Sequence, residues 1–134
     1  MQIEYLEPAD GAYRAGVCNI NEREIAKRRV FGIAAVASSI VFGALLVAID
    51  APPLLRGLVV LPLWVGLISL EEARTRFCGG FAFLGIRSAA GSGATERVTD
   101  AMDLAADRTT AFRMVAYCGV IAVAIATAFI LLPI

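Results

Sequence analysis

The sequence predicts an all-α integral membrane protein with three transmembrane helices and a short interfacial or re-entrant segment after the second. Three observations carry that expectation. Residues 30–49, VFGIAAVASSIVFGALLVAI, contain no charge and lie between Lys27-Arg28-Arg29 and Asp50. At about 1.5 Å per residue such a helix is about 30 Å long, the thickness of a bilayer's hydrocarbon core. Two more uncharged runs follow, residues 57–70 and 114–134. Finally, 59% of the 134 residues are hydrophobic and the mean hydropathy is +0.76, against an apolar share of about 45–50% in soluble domains. A water-soluble fold this small could not bury so much apolar surface.

The same composition narrows function. Twelve basic and twelve acidic residues cancel and no long basic run occurs, so a nucleic-acid partner is not expected. Every basic residue except Lys27 is Arg, which reads as coding bias or as a preference for forked donors. The chain has no histidine, which removes the commonest general base and metal ligand and excludes hydrolytic triads and HExxH zinc chemistry. Three cysteines, Cys18, Cys78 and Cys118, are too few and too scattered for a disulfide framework. The first 28 residues are polar and acidic, so no cleavable signal is expected. Nor does any glycine-rich stretch, Gly91-Ser-Gly93 included, match a phosphate-binding motif, and no cofactor is expected.

Taken in order, residues 1–20 show no sustained period and read as a cytoplasmic N-terminal arm, with residues 21–134 forming a single membrane domain. Asn21, three residues before Glu24, is a capping signature, so a helix should start there and run into the membrane, its first turn carrying Glu22 and Glu24 at the positive end of the dipole. The first span is placed at residues 30–49. Within it Gly32, Ala35, Ser39 and Gly43 put small residues along one face, a helix-packing stripe that serves either intramolecular packing or an oligomer contact. Pro52 and Pro53 end that helix. The second span, residues 54–72, reaches bilayer thickness by adding Leu54, Leu55 and a snorkelling Arg56 to its short apolar run. Pro62 should kink it, and the Trp64 N–H should find a protein partner, such as a carbonyl freed by the kink.

The polar end of this helix offers the pairs Glu71 to Arg74 and Glu72 to Arg76. Residues 77–86, FCGGFAFLGI, are too few to span and suit a segment in the interface or tucked against the bundle, with Phe77, Phe81 and Leu84 as partner-facing candidates. Residues 88–94 form the expected mobile loop. Thr95 is the expected cap of the last helix, which would continue through the span at residues 113–133 or break near Thr109-Thr110. The loop at residues 73–112 is then cytoplasmic. Lys27, Arg28, Arg29, Arg74, Arg76, Arg87 and Arg113 set the topology: basic residues collect on the side of the N-terminus and this loop, while the other side has only Arg56. The expectation is a bacterial cytoplasmic (inner) membrane, N-terminus inside and C-terminus outside.

No charge falls inside an apolar run, which weighs against a pump or proton-coupled transporter. Cys18 and Cys78 are the weak candidates for a metal or redox site, because both sit beside a membrane helix on the predicted cytoplasmic face. Two thiols supply only half the ligands of a structural zinc site, so core packing or lipidation also fits them. The segments GVCNINEREIAKRR (residues 16–29) and RFCGGFAFLGI (residues 76–86) resemble a motif pair of small bacterial three-helix membrane proteins. The resemblance covers under a quarter of the chain and implies no activity; it draws attention to Cys18, Asn19, Arg28, Arg29 and Cys78. The expected function is a non-enzymatic accessory or scaffold subunit, with the lipid bilayer and other membrane subunits or further copies of itself as partners. A thiol or metal role through Cys18 and Cys78, and an oligomeric small-solute transporter using Pro62 and Trp64, are the alternatives.

Overall fold

The computed structural model describes residues 13–89 and 94–133. Most of the expected arm and of the mobile loop at residues 88–94 therefore lies outside the described residues. Three helices long and apolar enough to cross a membrane dominate the chain, at Glu22–Ala48, Pro53–Thr75 and Ala101–Leu131.

Helix α1 (Glu22–Ala48) starts where the sequence predicts: the Asn21 side chain accepts from the Glu24 N–H at 3.1 Å. It ends before Asp50, which adopts a left-handed φ of 58° and turns the chain into Pro52 and Pro53. The second membrane-length segment is built in pieces: α2 (Pro53–Arg56), a 3₁₀ turn (Gly57–Val59) and α3 (Val60–Thr75). The tightened turn lies just before Pro62, whose missing N–H and crowded ring disturb the preceding ladder. Arg56 does not snorkel outward; it is buried, its Nε donating to the Ala51 carbonyl at 3.0 Å.

Arg76 takes φ 61° as the left-handed cap of α3, which reverses the chain into α4 (Gly79–Leu84). The segment predicted as interfacial or tucked against the bundle is this single short helix, packed on the last one. Strands β1 (Ile86–Ser88) and β2 (Thr95–Arg97) then form an antiparallel hairpin, Arg87 opposite Glu96, with Val98 N–H donating back to the Gly85 carbonyl. Thr95 is therefore a strand residue and not a helix cap. Asp100 takes that role, accepting from the N–H groups of Met102 and Asp103, and α5 (Ala101–Leu131) runs unbroken through Thr109-Thr110.

Helix α3 is central, with α1 packed on one side and α5 on the other. The α1–α3 crossing is close because glycines meet side chains there: a Cβ on Gly32 would lie 2.7 Å from Leu70, and one on Gly66 2.8 Å from Val36. Buried Gly32, Ser39 and Gly43 with half-buried Ala35 thus serve intramolecular packing. Trp64 donates its indole N–H to the Val115 carbonyl at 3.1 Å and lies over Gly119, so its partner is mid-helix in α5 and not a carbonyl at the kink.

Candidate functional site

The polar groups of the described chain concentrate in a head where the start of α1, the end of α3, α4, the hairpin and the first turns of α5 converge. At its centre runs the segment Cys18-Asn19-Ile20-Asn21, all four residues buried. Asn19 uses every polar group it has. Its Oδ1 accepts from the Cys78 N–H at 2.7 Å, its Nδ2 donates to the Cys78 carbonyl at 3.0 Å, its N–H donates to the Arg76 carbonyl, and its carbonyl accepts from Ser88. The side chain thereby replaces a missing strand beside Cys78. Asn21 adds a bond from Nδ2 to the Ala89 carbonyl, so one tetrapeptide ties α1 to the α3–α4 turn and the hairpin.

Arg28, on the first turns of α1, reaches into the same region. Its guanidinium meets Glu24 Oε2 at 2.7 Å, Glu72 Oε1 at 3.3 Å and Cys78 Sγ at 3.2 Å, and stands 5.4 Å above the Phe81 ring. Lys27 also pairs with Glu24, so the two carboxylates are matched by two cations. Glu72 is buried and spends its other oxygen on the Gly79 N–H at 2.9 Å, which opens α4. Arg76, held off the helix face by its left-handed backbone, pairs with Glu22 instead of the expected Glu72. The Glu71–Arg74 pair forms as predicted.

Cys78 caps α4, its Sγ accepting from the Phe81 N–H. Burial pushes its thiol pKa up and the Glu72 carboxylate adds to this, while the Arg28 hydrogen bond opposes both. A thiol held protonated is a poor nucleophile and a poor metal ligand. Cys18 turns its Sγ toward the Ile20 carbonyl at 3.9 Å, while Cys78 addresses Arg28, so the structure shows each thiol with its own partner. Among the described residues no group of three or more His, Cys, Asp or Glu is placed to hold a metal ion. Cys118 is buried in a core with Phe77, Ala82, Ala111 and Met114.

A second knot fixes the arm to α5. Asp107, with no exposed surface, accepts from the Gly16 N–H at 2.7 Å and the Tyr13 hydroxyl at 3.0 Å, and Thr110 donates to the Gly16 carbonyl. Burial and the Asp107 hydrogen bond hold the Tyr13 phenol above its ordinary pKa. Arg87 stacks over its ring at 4.7 Å.

Sequence reading picked out Cys18, Asn19, Arg28 and Cys78, and the structure brings Asn19, Arg28 and Cys78 into direct contact; Arg29 is exposed on the outer face of α1. Among the partner-facing candidates, Phe77 is corrected: it is 1% exposed and fills the core, because the reversal at Arg76 points it inward. Phe81 is half-buried under Arg28, and Leu84 alone is exposed. The sequence marks Glu24 only as a helix-start residue and Glu72 only as a partner of Arg76, and Asp107 is not singled out. For Asp107 a signal existed, since it is in helical register with Ala111, Met114 and Cys118 on the buried stripe of α5. No protein family, no curated protein and no solved structure matches the chain.

Proposed function

We propose that the chain is a small non-enzymatic integral membrane protein, an accessory or scaffold subunit that packs against a transmembrane helix of a partner in a bacterial cytoplasmic membrane. The observation that carries this reading is the contrast between head and helices. In the head, buried Asn19, Glu72 and Asp107 spend their polar atoms on partners within the chain, which leaves little free for chemistry on a substrate. Along the helices, large apolar residues face outward: Val30 is 70% exposed, Ile40 69%, Leu54 88% and Val120 71%. Such a surface suits lipid or a second helix and not water.

A groove of about 250 Å³ between α1 and α5, floored by Val59 and Leu63, supports a helix as the partner. Its exposed lining, Ile40, Ala44 and Ile125, is wholly apolar, and small Ala44 permits close backbone approach. Crosslinking in native membranes followed by mass spectrometry of the copurified material tests this. A discrete adduct through residues of the groove is expected, and a lone monomer with no adduct overturns the reading. The thiol alternative draws on the Arg28–Cys78 contact, and a Cys18→Ser/Cys78→Ser protein with unchanged thiol chemistry and phenotype removes it.

A further inference from the structure

A second crevice, of about 620 Å³, opens between the N-terminal arm, the end of α3 and the middle of α5. Its apolar lining is Val17 and the Tyr117 ring, both exposed, over buried Phe77 and Met114. Two charged residues reach its rim. Glu71 is already taken by both ends of the Arg74 guanidinium. Arg113 is exposed and has no ion pair or hydrogen bond among the described residues, and so is the one uncompensated charge that they bring to the rim.

The height of this crevice is fixed by two helices independently. Arg113 is the last charge of α5 before an uncharged run, and Glu71 is the first charge of α3 after one. Tyr117, one turn beyond Arg113 on the same face and 61% exposed, also lines it, and tyrosine concentrates where chain, head groups and water meet. We infer that the crevice binds an anionic phospholipid of the cytoplasmic leaflet, the phosphate against Arg113 and the glycerol and first methylenes over the exposed Val17 side chain and Tyr117 ring. The inference rests on the membrane reading proposed above. A free phosphate dianion suits the crevice poorly, since one guanidinium would neutralise it only in part, Glu71 stands on the same rim, and the Thr75 and Thr110 hydroxyls already donate to backbone carbonyls. An amphiphile matches both halves, as basic pockets between membrane helices do for anionic head groups.

The test uses the full chain. Alkaline carbonate washing of native membranes comes first: release of the protein into the soluble fraction overturns the membrane reading and this site together. Protein that stays is reconstituted in nanodiscs of mixed phosphatidylglycerol and phosphatidylcholine, and lipid retention is read by native mass spectrometry. Phosphatidylglycerol is expected to be kept preferentially, with Arg113→Gln lowering its retention about fivefold. Arg108→Gln, which removes an exposed charge of the same helix outside the crevice, is expected to leave retention unchanged. Equal retention of the two lipids, or an equal loss in both variants, overturns the site while leaving the membrane reading standing. Displacement of the lipid by excess inorganic phosphate overturns the choice of a lipid over a free anion.

Discussion

Arg28 carries more of the head than any other side chain, because it faces Glu24, Glu72 and Cys78 at once. Removing it strands Glu72, whose side chain is 8% exposed, without a counter-charge. Arg28→Ala should therefore cost about 3 kcal/mol, toward the lower end for a broken buried pair because Arg28 keeps 19% of its side chain exposed. Thermal unfolding in mild detergent measures it, and Glu72→Gln, which keeps an acceptor for the Gly79 N–H, should cost less than Glu72→Ala. Cys78 gives a prediction with a definite pH sign. Its thiol pKa is raised above the ordinary 9.0, so the unfolded chain loses that proton first as pH rises. The stability it contributes is intact below 9.0 and is lost as pH climbs above it through the folded value. Alkylation by iodoacetamide at pH 7 should accordingly be slow in the folded protein and fast only after denaturation. Cys78→Ser should flatten the alkaline limb of the stability curve.

Among the elements, the α1–α3 crossing depends on the absence of two Cβ atoms. Gly32→Ala would press against Leu70, including its backbone N at 3.0 Å, and Gly66→Ala against Val36 and its backbone N at 3.0 Å. Backbone cannot yield as a side-chain tip does, so each substitution should destabilise by about 1–3 kcal/mol. Gly43→Ala meets only side chains at ordinary contact distance, the Phe129 ring at 3.4 Å and Val59 at 3.5 Å, and should be neutral or stabilising by up to about 1 kcal/mol, since helical glycine is itself unfavourable. Melting temperatures of the three variants separate the cases. This element was legible because a small residue every fourth position needs no knowledge of its neighbour. The start of α1 was legible for a related reason: Asn21 and Glu24 are a local signal satisfied by local atoms. The start of α5 was not. Thr95 looked like a cap, but β1 pairs with Thr95–Arg97, and a three-residue strand is too short to show its alternation. Asp100, which captures two N–H groups, then became the cap. The head was legible only as a set of residues. Asn19, Arg28 and Cys78 stood out in sequence, whereas Glu72 was assigned to Arg76 by helical spacing until the left-handed turn at Arg76 moved that partner away.

At the scale of the whole molecule, the fold gathers almost all the charge of the described residues at one end. The start of α1, the end of α3 and the start of α5 meet in the head, which brings Lys27, Arg28, Arg29, Arg74, Arg76, Arg87 and Arg113 to the same side. The opposite end holds Arg56, folded inward onto the Ala51 carbonyl with Asp50 at 3.9 Å. On the membrane reading proposed above, one Arg at that end resists translocation less than the many basic residues of the head, so the insertion machinery should retain the head on the cytoplasmic side. The helix lengths agree with that arrangement. At about 1.5 Å per residue α1 is about 40 Å long and α5 about 46 Å, so each can cross the hydrocarbon and still extend into the head. Alkaline phosphatase fused after Ile134 should then be active and green fluorescent protein at the same position dark, with the reverse result for fusions before Met1. Replacing Arg74, Arg76 and Arg87 together by Gln should weaken this bias without touching Arg28, and a fraction of the C-terminal fusion should change sides. Reporters at both termini found in the cytoplasm of the unaltered protein would mean that an even number of helices crosses the bilayer, and the central position of α3 between α1 and α5 would then need a different explanation from lipid on both flanks.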